Sequence, residues 1–124
     1  MLKNSIGVVI PCYKCGKRSI DVVKKSLIHA DFVVLVDDAC PLNTAEIVKK
    51  EFNDKRLKIL YNEKNLGVGG STKIGINWLI KKDCEIIVKI DGDGQMDPNY
   101  IPEMTKPIIE GKAEFVKGNR FKSL

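Results

Sequence analysis

Glu85-Ile86-Ile87-Val88-Lys89-Ile90-Asp91-Gly92-Asp93-Gly94-Gln95-Met96-Asp97-Pro98 is an apolar run that ends in two carboxylates one residue apart, each followed by glycine. The run is short, rich in β-branched residues and bounded by glycine, which predicts a buried strand. Side chains alternate on an extended chain, so Asp91, Asp93 and Gln95 are expected to point the same way at the strand's end. Two carboxylates about 4 Å apart repel by roughly 4 kcal/mol at an effective dielectric of 20. A cation or a shared proton must relieve that repulsion. Two carboxylates and an amide form an all-oxygen set, which suits a hard divalent ion such as Mg²⁺ or Mn²⁺. A calcium loop of the EF-hand kind does not fit. It needs glycine at its sixth position and glutamate at its twelfth, where this chain has Met96 and Pro102. It also needs a helix in front, and here a strand precedes.

Working outward, strand and helix patterns alternate. Ser5 to Ile10 reads as a buried strand stopped by Pro11. Arg18 to Ala30 carries Ile20, Val23, Leu27 and Ile28 at helical spacing. Phe32 to Val36 is a second continuous apolar strand, ending at Asp37-Asp38. Asn43 or Thr44 is the expected cap of a helix running to about Phe52, with Ile47 and Val48 turned inward. Leu57 to Tyr61 alternates, which places it nearer an edge. Asn65 to Gly70 is a glycine-rich loop, and a helix follows to Lys82 with Val68, Thr72, Ile76 and Leu79 on one face. Gly75 within it costs about 1 kcal/mol relative to alanine, so close packing on the sheet is expected there. A helix from about Pro98 to Glu110, bent or interrupted at Pro102 and Pro107, and a fifth strand at Glu114 to Lys117 complete the pattern.

Such alternation predicts an α/β fold, a three-layer sandwich with helices on both faces of a mostly parallel sheet. The 124 residues suffice for one domain that buries roughly two-thirds of its unfolded surface. Hydrophobic residues make up 44% and charged residues 30%, an ordinary balance for a globular protein. No run approaches the roughly 20 apolar residues of a membrane span and no signal peptide pattern opens the chain, so a cytoplasmic location is expected. The formal charge of +5 mildly favours anionic partners. Lys49-Lys50 and Lys81-Lys82 fall at expected helix ends, where they complement the helix dipole rather than mark a nucleic-acid surface. Cys12-Tyr13-Lys14-Cys15 matches C-x-x-C after a strand. A zinc site would need a second pair, and Cys40, Cys84 and His29 stand alone in sequence. The expectation is ordinary reduced thiols.

In parallel sheets ligands bind beyond the carboxyl ends of the strands. The polar residues fall at those ends: Pro11 and Tyr13, Asp37 and Asp38, Asp91, Asp93 and Gln95, then Arg120. Aromatic, acidic, metal-binding and basic groups on one sheet edge suit a nucleoside diphosphate held through a metal. The glycine loop fits neither a dinucleotide fingerprint, which should follow the first strand, nor a phosphate loop, whose Gly-Lys-Ser/Thr order Gly70-Ser71-Thr72-Lys73 scrambles.

Five motifs in order carry a resemblance. They are Val9-Ile10-Pro11-Cys12-Tyr13, Val36-Asp37-Asp38-Ala39, Asn65-x-Gly67, Asp91-Gly92-Asp93-Gly94-Gln95-x-Asp97-Pro98 and Gly118-Asn119-Arg120. Together they resemble family 2 glycosyltransferases, most of all the polyprenyl-phosphate sugar transferases such as dolichol-phosphate mannose synthase. The resemblance implies a GT-A fold, a UDP- or GDP-sugar donor, a lipid-phosphate or glycan acceptor, and Mg²⁺ or Mn²⁺. It implies that Pro11 and Tyr13 flank the base, that Asp38 accepts hydrogen bonds from it, and that Gly67 lines the bound nucleotide sugar. Asp91 would face the ribose or sugar, Asp93 and Gln95 would ligate the metal, and Arg120 would contact phosphate. The chain has Lys14 and Cys15 where the family usually has asparagine and often glutamate. Family domains continue well beyond the position matching Arg120, where an acceptor site and a catalytic carboxylate follow. The chain therefore reads as a truncated, donor-binding part, expected to be inactive alone and to self-associate through its final strand. A nucleotidyltransferase acting on sugar phosphates is a rival of similar fold, but Pro11-Cys12-Tyr13-Lys14 is not its long glycine-rich, basic loop. A non-catalytic nucleotide- or metal-binding module is the other rival.

Overall fold

The computed structural model describes residues 4–111. Four strands form one parallel sheet: β1 (Ile6–Cys12), β2 (Phe32–Asp37), β3 (Leu57–Tyr61) and β4 (Ile86–Lys89). Between them run α1 (Arg18–His29), α2 (Thr44–Glu51) and α3 (Gly67–Lys81), and a 3₁₀ turn at Pro98–Tyr100 leads into α4 (Ile101–Ile109). The predicted fifth strand and the Gly118-Asn119-Arg120 motif lie outside the described residues.

The sheet order is β3-β2-β1-β4. Strand parity distributes the core. Val8, Ile10, Val33, Leu35, Val88 and Ile90 point to one face, where they meet Val22, Val23 and Leu27 of α1, Ala45 and Val48 of α2, and Ile101 of α4. Val9, Val34 and Val36 point to the other face, against Leu79 of α3. Strands covered on both faces need apolar residues at every position, which is why β1 and β2 read as continuous runs rather than alternating ones. Each such side chain fully buried contributes about 1.5–3 kcal/mol relative to exposure. The three-layer α/β arrangement is the expected one.

Gly75 lies where α3 crosses the sheet. A Cβ there would run into a methyl of Val9 and come within 3.3 Å of Val34 Cγ1. The close approach it permits offsets its helical cost.

Three local expectations are corrected. Ile28 of α1 is 67% exposed and Val68 of α3 is 55% exposed. The inward stripes are Ser19, Val22, Val23, Ser26 and Leu27 on α1, and Ser71, Gly75 and Leu79 on α3. The helical period was read correctly, but small residues rather than the bulkiest ones face the sheet, because the helices pack close. The α2 cap is also different. Asn43 has a left-handed backbone (φ 54°) and makes no side-chain cap; Asp37 Oδ2 accepts from Ala45 N instead, at 3.1 Å. Finally, Pro102 sits in the first turn of α4, where its missing N–H costs nothing, so α4 begins after the 3₁₀ turn and runs through Pro107.

Candidate functional site

The chain steps outward from β1 to β2 to β3, then crosses back to place β4 on the other side of β1. The switch in direction therefore falls between β1 and β4, and in such sheets ligands bind in the crevice beyond the carboxyl ends of the strands there. A cavity of about 220 Å³ occupies it. Pro11, Cys12, Tyr13 and Cys15 line it from the β1 side, Asp38 from the end of β2, Val68 and Ser71 from the first turns of α3, and Lys89, Asp91, Gly92 and Asp93 from β4 and its turn.

β1 brings in Pro11 and Cys12, both buried, and then Tyr13, whose ring is 45% exposed. Lys14 next to it takes φ 57°, a left-handed conformation that asparagine tolerates better than lysine. Its N–H donates to Cys40 Sγ at 3.0 Å, and Gly16 N donates to Thr44 Oγ1 at 2.9 Å, so the loop is tied to the start of α2. The C-x-x-C pair lies inside this loop. The hydrogen bond between Cys12 and Cys15, together with burial, pushes the Cys12 thiol far above its ordinary value; the same hydrogen bond lowers that of Cys15 against its burial. Four free cysteines are present and none is bridged.

β2 delivers Asp37 and Asp38, both nearly fully buried. Asp37 Oδ1 accepts from Cys40 N at 2.8 Å and Oδ2 from Ala45 N, which shapes the turn into α2. Asp38 reaches the other way. Its Oδ1 accepts from Leu66 N at 2.7 Å and Asn62 Nδ2 at 2.9 Å, and its Oδ2 from Gly67 N at 2.9 Å. The glycine loop is thus capped by a carboxylate from another strand. Burial alone would raise the Asp38 pKa, but these donors stabilise the anion and hold it below the ordinary carboxylate value. Ser71 adds a fourth hydrogen bond to the same carboxylate, and Asp38 also lines the cavity. Gly67 is positioned by this bond and lies outside the cavity lining.

β4 ends at Lys89, and the chain from Gly92 to Met96 forms turns and bends. The expected strand-like alternation through Gln95 therefore does not hold. Asp91 and Asp93 line the cavity, whereas Gln95 is exposed outside that lining and donates its N–H to Asp93 Oδ1 at 3.0 Å. Gly92 packs on the thiols, since a Cβ there would come within 3.1 Å of Cys15 Sγ and 3.4 Å of Cys12 Sγ. Lys89, which the sequence reading did not single out, lines the cavity with its Nζ 3.2 Å from Asp91 Oδ1. A lone charge in a β-branched run was the available signal. Arg120 lies outside the described residues.

Among the described residues no three His, Cys, Asp or Glu side chains are grouped so as to hold a metal ion by themselves. Mg²⁺ does not require such a cage, because it commonly binds through one or two carboxylates plus substrate phosphates and water. Two aspartates on one wall of an open cavity fit that kind of site.

The family model described as glycosyl transferase family 2 matches residues 7–124. The chain belongs to this family. Among curated relatives, the UDP-N-acetylglucosamine–dolichyl-phosphate N-acetylglucosaminyltransferase of Methanococcus voltae is 31% identical over 99% of this chain and 55% of its own length. The undecaprenyl-phosphate mannosyltransferase of Micrococcus luteus is 27% identical over 71% of this chain and 36% of its own length. The chain thus spans about half the length of the first of these relatives, and less of the second. Among solved structures, residues 1–349 of S. aureus TarS superpose with a TM-score of 0.56 at 28% identity, covering 72% of this chain and 27% of that one. The same TarS fragment is also known in complex with UDP-GlcNAc, with a TM-score of 0.54 at 28% identity. In this family-2 chain, no helix among the described residues is long and apolar enough to cross a membrane.

Proposed function

We propose that this chain is the donor-binding part of a metal-dependent glycosyltransferase that takes a nucleotide-diphospho-sugar and, with the rest of the enzyme, passes the sugar to a polyprenyl phosphate or glycan. The observation that carries the proposal is the cavity at the β1–β4 switch, where Tyr13, Asp38, Asp91 and Asp93 meet. UDP-GlcNAc in the TarS complex and the UDP-sugar donor named for the M. voltae relative favour a UDP-sugar. The lipid phosphates named for the two curated relatives favour a lipid-phosphate acceptor, and hence work at the cytoplasmic face of a membrane.

In this reading Pro11 and Tyr13 enclose the base, and Asp38, on the cavity wall, takes a hydrogen bond from it. Asp91 and Asp93 would hold Mg²⁺ or Mn²⁺ for the diphosphate; Gln95, outside the cavity lining, is left out of the ligand set. A bound metal of this kind acts as a Lewis acid that stabilises the departing nucleoside diphosphate. The acceptor oxygen forms its bond to the anomeric carbon as the bond to the β-phosphate breaks. Arg120 would reach phosphate, and the base that takes the acceptor's proton would come from outside the donor-binding motifs.

Calorimetric titration of the chain with UDP and GDP, in Mn²⁺ and in EDTA, tests the proposal. A nucleoside diphosphate is expected to bind more tightly with Mn²⁺. Equal affinity in both buffers would sink the metal assignment, and no binding of either nucleotide would sink the donor assignment.

A further inference from the structure

Lys89 is the charged residue of the cavity lining that lies outside the five motifs. Beyond position 88 the sheet could have continued with an apolar residue, as every neighbouring position does. Strand parity sends Lys89 to the same face as Ile87, the face covered by α3. It shares the cavity lining with Val68 and Ser71 of the first turns of α3. At its tip, Nζ lies 3.2 Å from Asp91 Oδ1, with the side chain 43% exposed.

The charge balance of the cavity gives this position its meaning. Three carboxylates line it, from Asp38, Asp91 and Asp93, and among the described residues Lys89 is the lone basic side chain of that lining. A nucleoside diphosphate carries further negative charge into this space. An ammonium has three donors and no acceptor. One donor serves Asp91, and two remain for an incoming anion.

We propose that Lys89 is a donor-binding residue that contacts the diphosphate of the nucleotide sugar, with Asp91 holding its ammonium in place. The inference rests on the donor-binding reading above and deepens it. Lys89 supplies a fixed positive charge beside the two aspartates, so part of the diphosphate affinity persists when divalent metal is removed. A lysine serving only to position Asp91 would act through the metal instead, and its loss would go unnoticed in EDTA.

The test measures binding of UDP, GDP, uridine and guanosine in EDTA to the wild-type chain, K89M and K89R. Charge-assisted hydrogen bonds of this kind are typically worth a factor of ten or more. K89M is expected to weaken the preferred diphosphate about ten-fold and leave its nucleoside within about two-fold, while K89R retains most of the diphosphate affinity. Thermal melting checks that each variant is folded. Should K89M melt early, K89Q carries the same comparison with a polar head on a shorter stem. Equal diphosphate binding by wild type and a folded K89M would overturn the inference and leave the donor reading intact. Parallel losses of diphosphate and nucleoside would also overturn it. A wild-type chain that binds neither diphosphate in EDTA but binds one in Mn²⁺ would overturn the inference and keep the donor reading, and one that binds neither in either buffer would remove both.

Discussion

Two strand ends carry paired acidic residues, and they are used differently. At the end of β2, Asp37 and Asp38 are buried and between them accept hydrogen bonds from four backbone N–H groups, from Asn62 and from Ser71. At the end of β4, Asp91 pairs with Lys89 and Asp93 accepts from its own turn at Gln95 N. The first pair binds scaffold: Asp37 sets the entry to α2 and Asp38 the entry to α3. In the second pair Asp91 meets Lys89 and Asp93 accepts from its own turn, and both line the cavity. The lesson is that an aspartate at the carboxyl end of a parallel strand is read by what it accepts from. Backbone N–H donors at the entry of a helix mark a structural anion, and a place on the cavity wall beside a lysine or a turn marks one that can serve a ligand.

Substitution at the β2 end should have the largest effect. Asp38→Ala removes the hydrogen bonds to a buried anion and leaves the Leu66 and Gly67 N–H groups without their cap. We expect a loss of about 3 kcal/mol, or roughly 12 °C in melting temperature for a domain of this size. A melting temperature within about 2 °C of wild type would break the comparison, because Asp38 would then be no more structural than its β4 counterparts.

Acid sharpens the same contrast. The pKa of Asp38 is held low in the folded state by its donors, against the burial that would raise it. A group with a depressed folded pKa stabilises the fold above its unfolded value, and that stability is lost as pH falls through the folded value. Asp38→Asn keeps the shape without this titration. The stability gap between wild type and Asp38→Asn, measured by urea unfolding, should be widest near pH 7 and narrow toward about pH 3. A gap that does not change with pH would show that the Asp38 charge contributes nothing.

The smallest effect on stability is expected at the β4 end. Asp93→Ala removes one hydrogen bond at a turn and should alter stability by no more than about 0.5 kcal/mol. It should nevertheless abolish the gain in nucleotide affinity that Mn²⁺ provides. Unfolding as severe as that of Asp38→Ala, or an intact Mn²⁺ effect, would place Asp93 with the scaffold.

Much of the architecture was legible in the sequence because its signals are local. Three continuous apolar runs, one alternating stretch and periods of 3.6 residues revealed four of the strands and their helices, and glycines and prolines marked the ends. The fold class and the gathering of polar residues at one sheet edge followed from alternation alone. The phase of the helices was less legible: Ile28 and Val68 were expected inside and lie outside, because hydrophobicity was the cue whereas close helix–sheet packing selected Ser71 beside the expected Gly75 and Leu79. Period is a property of one helix, and phase belongs to the surface it meets.

By itself the sequence determined that carboxylates would stand at the ends of buried strands, since a residue following a β-branched run has few other places to go. Only the tertiary structure decided which carboxylates the scaffold would use. The donors to Asp38 come from residues at least 24 positions away, and β4 reaches its place beside β1 only after crossing over two strands. The crevice, the position of Lys89 within it and the removal of Gln95 from its lining all depend on that crossing. They arise from contacts between segments distant in sequence, which no local pattern encodes.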